Sequence, residues 1–303
     1  MSLIAILLIC VTAFTHSGWN LLCKSKNPSA AFFVIVAVCS IAVLSPFYFL
    51  GWNAIVNLPA FIWLALAATG FIQAVYYACL GNAYRLSEIS IAYPITRSLP
   101  VLIIPLVIRS LHLGEELGYP ACLGMILIFV GCIFLPLPRF RQLLHLKDYV
   151  NIGLLFVVIA AFCTVGYTVI DNEAMKRLND SGLVASQYIT GPLYLALTML
   201  FIFLFLTPYV LCCRPEREKL REILRHSWKT PFCAGLMTSF DYSLILTAMS
   251  LVPNVSYVAA FRQLSIPVGA VLGIILFAER RDPPKLVGLL LIVSGLVLVA
   301  VDK

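Results

Sequence analysis

Apolar stretches of similar length recur along the chain and are separated by short polar connections. A helix needs roughly 20 apolar residues to cross the hydrocarbon core of a bilayer, and it satisfies its backbone polar groups internally. Ten stretches meet this length, with approximate bounds 3–22, 31–51, 60–82, 89–109, 118–137, 150–171, 185–210, 231–252, 255–277 and 284–301. The pattern therefore predicts an all-α membrane protein with ten transmembrane helices.

The second half of the chain repeats residues of the first half at a nearly constant offset. An offset of 165, changing to 164 after the arginine pair, aligns Tyr77 with Tyr242, Arg97 with Arg262, Gly124 with Gly288 and Gly131 with Gly295. Each half holds five spans, and an odd number places the second copy upside down relative to the first. We therefore expect two inverted five-helix repeats, over residues 1–138 and 148–303.

Composition supports a membrane protein over a soluble one. The chain is 61% hydrophobic and 12% charged, with a mean hydropathy of +0.98, whereas soluble domains average about 45–50% and about 25%. The net charge of +7 lies in short loops, which more often report membrane orientation than nucleic-acid binding. No phosphate-binding loop or zinc-type Cys/His spacing occurs, so we expect no cofactor, no bound metal and no nucleic-acid partner.

Each half closes with a glutamate shortly before a helix with two spaced glycines. These segments read G-E-E-L-G-Y-P-A-C-L-G-M-I-L-I-F-V-G and A-E-R-R-D-P-P-K-L-V-G-L-L-L-I-V-S-G. The chain resembles, as two modules, the EamA-type transporters of the drug/metabolite transporter superfamily. The opening H-S-G-W-N-L-L-C-K-S-K is also similar to EamA-like proteins associated with phosphonate utilisation. The resemblance implies alternating-access transport of a small organic metabolite across the cytoplasmic membrane, usually as export.

The distribution of basic residues predicts an orientation. Loops that share one side of the ten-span arrangement hold 15 of the 21 lysines and arginines, while the other loops and the carboxyl terminus hold 4. By the positive-inside rule, both termini face away from the cytoplasm. The resemblance implies the opposite placement, with both termini inside.

Two arginines, Arg97 and Arg262, fall near the middle of predicted spans and at equivalent places in the repeat. A guanidinium at that depth costs roughly 2.5–3.5 kcal/mol on insertion scales, so a functional role is the default hypothesis. Both could bind an anionic group of a substrate, because the guanidinium donates two parallel hydrogen bonds. Alternatively, each could bond backbone carbonyls freed at a proline-induced helix break, or pair with an internal acid.

Asp241 is the only acid that the predicted bounds place clearly inside a span. It is a proton-coupling candidate, or else the permanent counter-ion of an arginine; in the second case we expect Arg97 to meet the substrate. His16, in the first span, could relay a proton or form an interhelical hydrogen bond.

Five aromatic residues are candidate members of a substrate pocket. They lie on spans near the arginines, where their rings and hydroxyl groups could line the cavity or satisfy one another. They are Trp19, Tyr77, Tyr93, Tyr242 and Tyr257.

These features together favour a secondary transporter, not an enzyme, for an anionic or zwitterionic solute. An intramembrane enzyme or lipid-modifying factor would need clustered catalytic groups at one interface, and a non-transporting scaffold would not need symmetric charges at mid-depth. We expect a small-molecule substrate and the lipid bilayer as partners. A homodimer is left open as the oligomeric state.

Overall fold

The computed structural model of the protein describes residues 3–24, 29–86, 89–141, 152–184, 186–277 and 282–302, and the regular elements in these ranges are all helical. The α-helices are α1 (Leu3–Lys24), α2 (Ala30–Val43), α3 (Ser45–Leu50), α4 (Trp52–Val56), α5 (Ala60–Leu86), α6 (Ile89–Ser110), α7 (Tyr119–Phe134), α8 (Ile152–Asp180), α9 (Gln187–Cys212), α10 (Arg214–Glu222), α11 (Lys229–Met249), α12 (Val255–Phe261), α13 (Ser265–Phe277) and α14 (Pro283–Val301). A π-helical turn, Ile223–Ser227, follows α10, and a 3-10 turn, Arg262–Leu264, joins α12 to α13.

Six helical stretches in these ranges are long and apolar enough to cross a membrane. They lie in α5, α8, α9, α11, the α12–α13 pair and α14, and shorter apolar stretches lie in α1, α2 and α7. The all-α class is thereby confirmed for the described residues, while the count of ten spans stays a prediction.

Two helix boundaries differ from the sequence expectation. The predicted span 31–51 is divided, because Pro46 cannot donate a backbone hydrogen bond and instead occupies the first turn of α3. In the other direction, α8 continues nine residues beyond the predicted end at Asp171. Ala174, Met175 and Leu178 are buried on this extension, so tertiary packing sustains the helix past a polar stretch.

Helices α7 and α14 meet at backbone distance through the four glycines of the repeat. A Cβ atom added at Gly124 would lie 2.5 Å from the carbonyl oxygen of Gly295, and one at Gly131 would lie 2.6 Å from that of Gly288. Only glycine permits so close an approach. Since the contact partner moves backward along α14 as the position moves forward along α7, the two helices are antiparallel.

The packing of the helices follows a matched pattern. The contact of α5 with α8 corresponds to that of α1 with α11. The contact of α2 with α11 corresponds to that of α9 with α5, and the contact of α6 with α8 corresponds to that of α13 with α1. Within each pair, one contact becomes the other when every helix is exchanged for its counterpart in the predicted repeat. The central contacts, α2 with α9, α6 with α12 and α7 with α14, map onto themselves.

Polar contacts join the two halves at one end of the bundle. The side-chain amide of Asn254 donates to the carbonyl oxygen of Glu115 at 2.7 Å. Asp302 accepts two hydrogen bonds at Oδ2, from the backbone N–H of Gly118 at 3.1 Å and from the hydroxyl of Tyr257 at 2.7 Å. These bonds hold α7, α12 and the end of α14 together.

Candidate functional site

A cavity lies between the two halves, with walls from α1, α5, α6, α8, α9, α11, α12 and the 3-10 turn. The cavity is partly open to solvent. Its lining residues are His16, Gln73, Tyr76, Tyr77, Leu80, Thr96, Arg97, Pro100, Ile104, Thr164, Tyr167, Thr168, Met199, Thr238, Asp241, Tyr242, Ala259, Arg262 and Gln263. The structure therefore brings both arginines, Asp241 and His16 to one site.

Arg97, on α6, is hydrogen-bonded to the broken helix of the second half. Its Nη2 donates to the carbonyl oxygen of Arg262 at 3.1 Å and to the hydroxyl of Ser265 at 3.2 Å. Gln263 donates in turn from Nε2 to the carbonyl oxygen of Arg97 at 3.1 Å. The side chain of Arg97 thus satisfies a backbone carbonyl at the 3-10 turn, which is the structural alternative weighed from the sequence.

Arg262 has a different environment, although it occupies the equivalent position. Its guanidinium carbon lies 5.6 Å from the centroid of the Tyr242 ring, within the range of a cation–π contact. Within the part of the chain that the structure describes, this guanidinium has no hydrogen bond and no ion pair. It borders the cavity, where its donors can meet a ligand.

Asp241 pairs with α1 and not with an arginine. Its Oδ2 lies 3.0 Å from Nδ1 of His16, and its Oδ1 accepts a hydrogen bond from the hydroxyl of Thr15 at 3.3 Å. The side chains of His16 and Asp241 are only 10% and 4% exposed. Among the described residues Asp241 thus forms its ion-pair contact with His16, and the counter-ion alternative has no direct contact with Arg97 or Arg262 behind it.

Four tyrosines form an aromatic wall of the cavity. Tyr76 contacts Tyr77 and Tyr167 edge to face, with ring centroids 5.2 Å and 6.0 Å apart, and Tyr167 contacts Tyr242 at 6.3 Å. Tyr77 also stacks on Phe33 at 4.3 Å. The sequence placed Tyr77 and Tyr242 at this site, whereas Tyr76 and Tyr167 are additional members.

The remaining aromatic candidates are not part of this wall. Tyr257 is not among the lining residues, and its hydroxyl bonds Asp302 at the end of the bundle. The side chains of Trp19 and Tyr93 lie outside the described residues.

Asp171 is a buried acid that the sequence reading placed at the end of a span. Its side chain is fully buried in α8 and accepts hydrogen bonds from three hydroxyl groups on three other helices. Thr69 and Tyr194 donate to Oδ1 at 2.7 Å and 3.0 Å, and Tyr242 donates to Oδ2 at 2.7 Å. The buried residues Ala174, Met175 and Leu178, at helical spacing after Asp171, are the signal that could have revealed it.

Several buried polar atoms at the cavity have no hydrogen-bond partner among the described residues. They include Nε2 of Gln73, Oγ1 of Thr168, Nε of Arg97 and Oε1 of Gln263. A buried polar group left unpaired costs about 1–3 kcal/mol, so such groups at a cavity are suited to bind a polar solute.

The side chains that line the cavity carry an excess of positive charge. Its charged side chains are two arginines and one aspartate, so one positive charge remains when His16 is neutral. Among the described residues, no three His, Cys, Asp or Glu side chains are grouped in a way that could hold a metal ion.

Comparison with known proteins finds a similar fold over the whole chain and a family match over its second half. Residues 151–301 match the model of the EamA-like transporter family. A solved structure, described only as "Crystal structure of protein", has a TM-score of 0.68 and 14% sequence identity, and the match covers 97% of this chain and 96% of that one. No curated protein sequence gives a significant match. The second half of the chain is thus similar to the EamA-like transporter family, and this match together with the apolar helices supports a multi-pass membrane protein.

Proposed function

We propose that this EamA-like protein is a secondary transporter whose substrate is a small organic solute with an anionic group, bound in the central cavity by Arg262. The observation on which the proposal depends is that the Arg262 guanidinium borders the cavity without an acidic partner in the described structure. A charge at this depth is costly, and a bound anion offsets that cost while accepting two parallel hydrogen bonds.

The proposed architecture is two inverted five-helix repeats that rock about the cavity. The antiparallel glycine contact between α7 and α14 supports it, because Gly124 with Gly295 and Gly131 with Gly288 are the same contact after exchange of the halves. The matched helix pairings support it as well. In transporters with this symmetry, substrates bind near the midplane at the repeat interface. The proposal assigns that position to the cavity lined by Arg97 and Arg262.

We also propose that His16 and Asp241 couple transport to protons. The pair is nearly buried and borders the cavity, and a proton can be shared across the 3.0 Å contact between Nδ1 and Oδ2. The two halves differ at this position, since the offset of 165 aligns Asp241 with Tyr76, which has no carboxyl group. Direction of transport, with export expected from the resemblance, and a homodimeric state stay predictions.

A matched solute panel in proteoliposomes tests the proposal. Uptake is measured for acetate against acetamide, for L-lactate against L-lactamide, and for L-malate and inorganic phosphate, with and without a pH gradient. We expect saturable uptake of at least one anion and its loss in Arg262→Met. Saturable uptake of uncharged members alone, or equal uptake by Arg262→Met, would show that the anion proposal is wrong. No saturable uptake by any member would favour a scaffold or an enzyme.

A further inference from the structure

We propose that Asp171 is a positioning residue that acts through Tyr242 to hold an aromatic face against Arg262. Asp171 does not border the cavity, whereas the Tyr242 ring does. The link is a 2.7 Å hydrogen bond from the Tyr242 hydroxyl to Oδ2 of Asp171, on the side of the phenol remote from the helix backbone. This inference rests on the proposed function of Arg262, but it can be tested without a transported substrate.

The carboxyl group of Asp171 is itself fixed by the scaffold. Oδ1 is occupied by the hydroxyls of Thr69 and Tyr194, from α5 and α9, and neither of these residues borders the cavity. Oδ2 is therefore held in one place, and the Tyr242 hydroxyl that bonds it fixes the tilt of the ring. An anchored ring at 5.6 Å from the Arg262 guanidinium carbon restricts where that group can lie.

The equivalent tyrosine of the first half, Tyr77, stacks on a second aromatic ring. Tyr77 packs its ring on Phe33 at 4.3 Å. Its arginine, Arg97, is held by the Arg262 carbonyl and the Ser265 hydroxyl. Tyr242, which is hydrogen-bonded to a buried acid, thus lies beside Arg262. The Arg262 guanidinium has no hydrogen bond or ion pair in the described chain, so the fixed ring is the contact that can orient it.

The test measures the rate at which phenylglyoxal, a dicarbonyl reagent that modifies guanidinium groups, labels Arg262 in the purified full-length protein, followed by mass spectrometry. Tyr242→Phe retains the ring and removes only the hydroxyl bond. We expect labelling of Arg262 to accelerate about fivefold, the factor that corresponds to one net hydrogen bond. Labelling of Arg97 in the same sample should not change, because its contacts do not involve Tyr242.

Thr69→Val is the matched control, because it removes one of the two hydroxyl bonds to Oδ1 of Asp171, while Tyr194 still holds that oxygen and the Tyr242 bond to Oδ2 is kept. We expect wild-type labelling of Arg262 in this variant. Asp171→Ala should accelerate labelling as Tyr242→Phe does, and the double variant should show no further increase. Unchanged labelling in Tyr242→Phe, or equal acceleration in Thr69→Val, would overturn the inference. Normal anion transport by Arg262→Met would instead overturn the proposed function and leave the labelling result standing.

Discussion

Replacing each central arginine by methionine should separate a structural arginine from a substrate-binding one. Arg97→Met removes two hydrogen bonds from a charged donor, to the Arg262 carbonyl and the Ser265 hydroxyl. Such bonds contribute about 1.5–3 kcal/mol each, so a loss on the order of 3 kcal/mol is expected even after partial relaxation. Arg262→Met removes one ring contact of about 1 kcal/mol and relieves the desolvation of a charge, so its net effect on stability is close to zero.

The assay is thermal unfolding of both variants in detergent, followed by tryptophan fluorescence, together with anion uptake by the same preparations. We expect the midpoint of Arg97→Met to fall by roughly 5–10 °C and that of Arg262→Met to stay within about 2 °C of wild type. Uptake should be lost in Arg262→Met. Equal destabilisation of the two variants, or a stable Arg97→Met protein, would refute the assignment of Arg97 to the helix break.

Three further predictions follow from the cavity, the helix contacts and the charge distribution. Asp241→Asn should abolish the stimulation of uptake by a pH gradient while leaving solute exchange intact; persistent stimulation would contradict proton coupling through this acid. Gly131→Ala should lower the unfolding midpoint, because its Cβ would lie 2.6 Å from a carbonyl oxygen of α14 and overpacking costs about 1–3 kcal/mol, whereas Gly166→Ala, with its nearest contact at 3.5 Å, should be tolerated. In a background whose ten native cysteines are replaced by serine, Gly182→Cys should react with an impermeant maleimide from outside intact cells, and Arg217→Cys only after permeabilisation; the reverse pattern would show the opposite orientation.

The sequence predicted those parts of the molecule that depend on local hydrophobicity and on the internal repeat. The apolar stretches predicted the positions of the helices, and the offset of 165 predicted that Arg97 and Arg262 occupy equivalent positions in the two halves. The different contacts of these two arginines could not be predicted, since they depend on the 3-10 turn at Arg262–Leu264 and on the orientation of Ser265 toward α6.

Pairings between distant residues were the other unpredictable part. Asp241 lies 225 residues from His16, and nothing local in either segment selects imidazole over guanidinium as its partner. Asp171 was missed because the polar run after it reads as a helix end. Its burial comes from Thr69, Tyr194 and Tyr242, which reach it from three other helices.

The most direct test of the central claim is the concentration dependence of anion uptake in proteoliposomes containing wild type, Arg262→Met or Arg262→Lys. The account predicts saturable uptake by wild type, none by Arg262→Met, and weaker binding by Arg262→Lys, since an ammonium keeps the charge but cannot form two parallel hydrogen bonds. Equal uptake by wild type and Arg262→Met would contradict the claim that Arg262 binds the anionic group of the substrate.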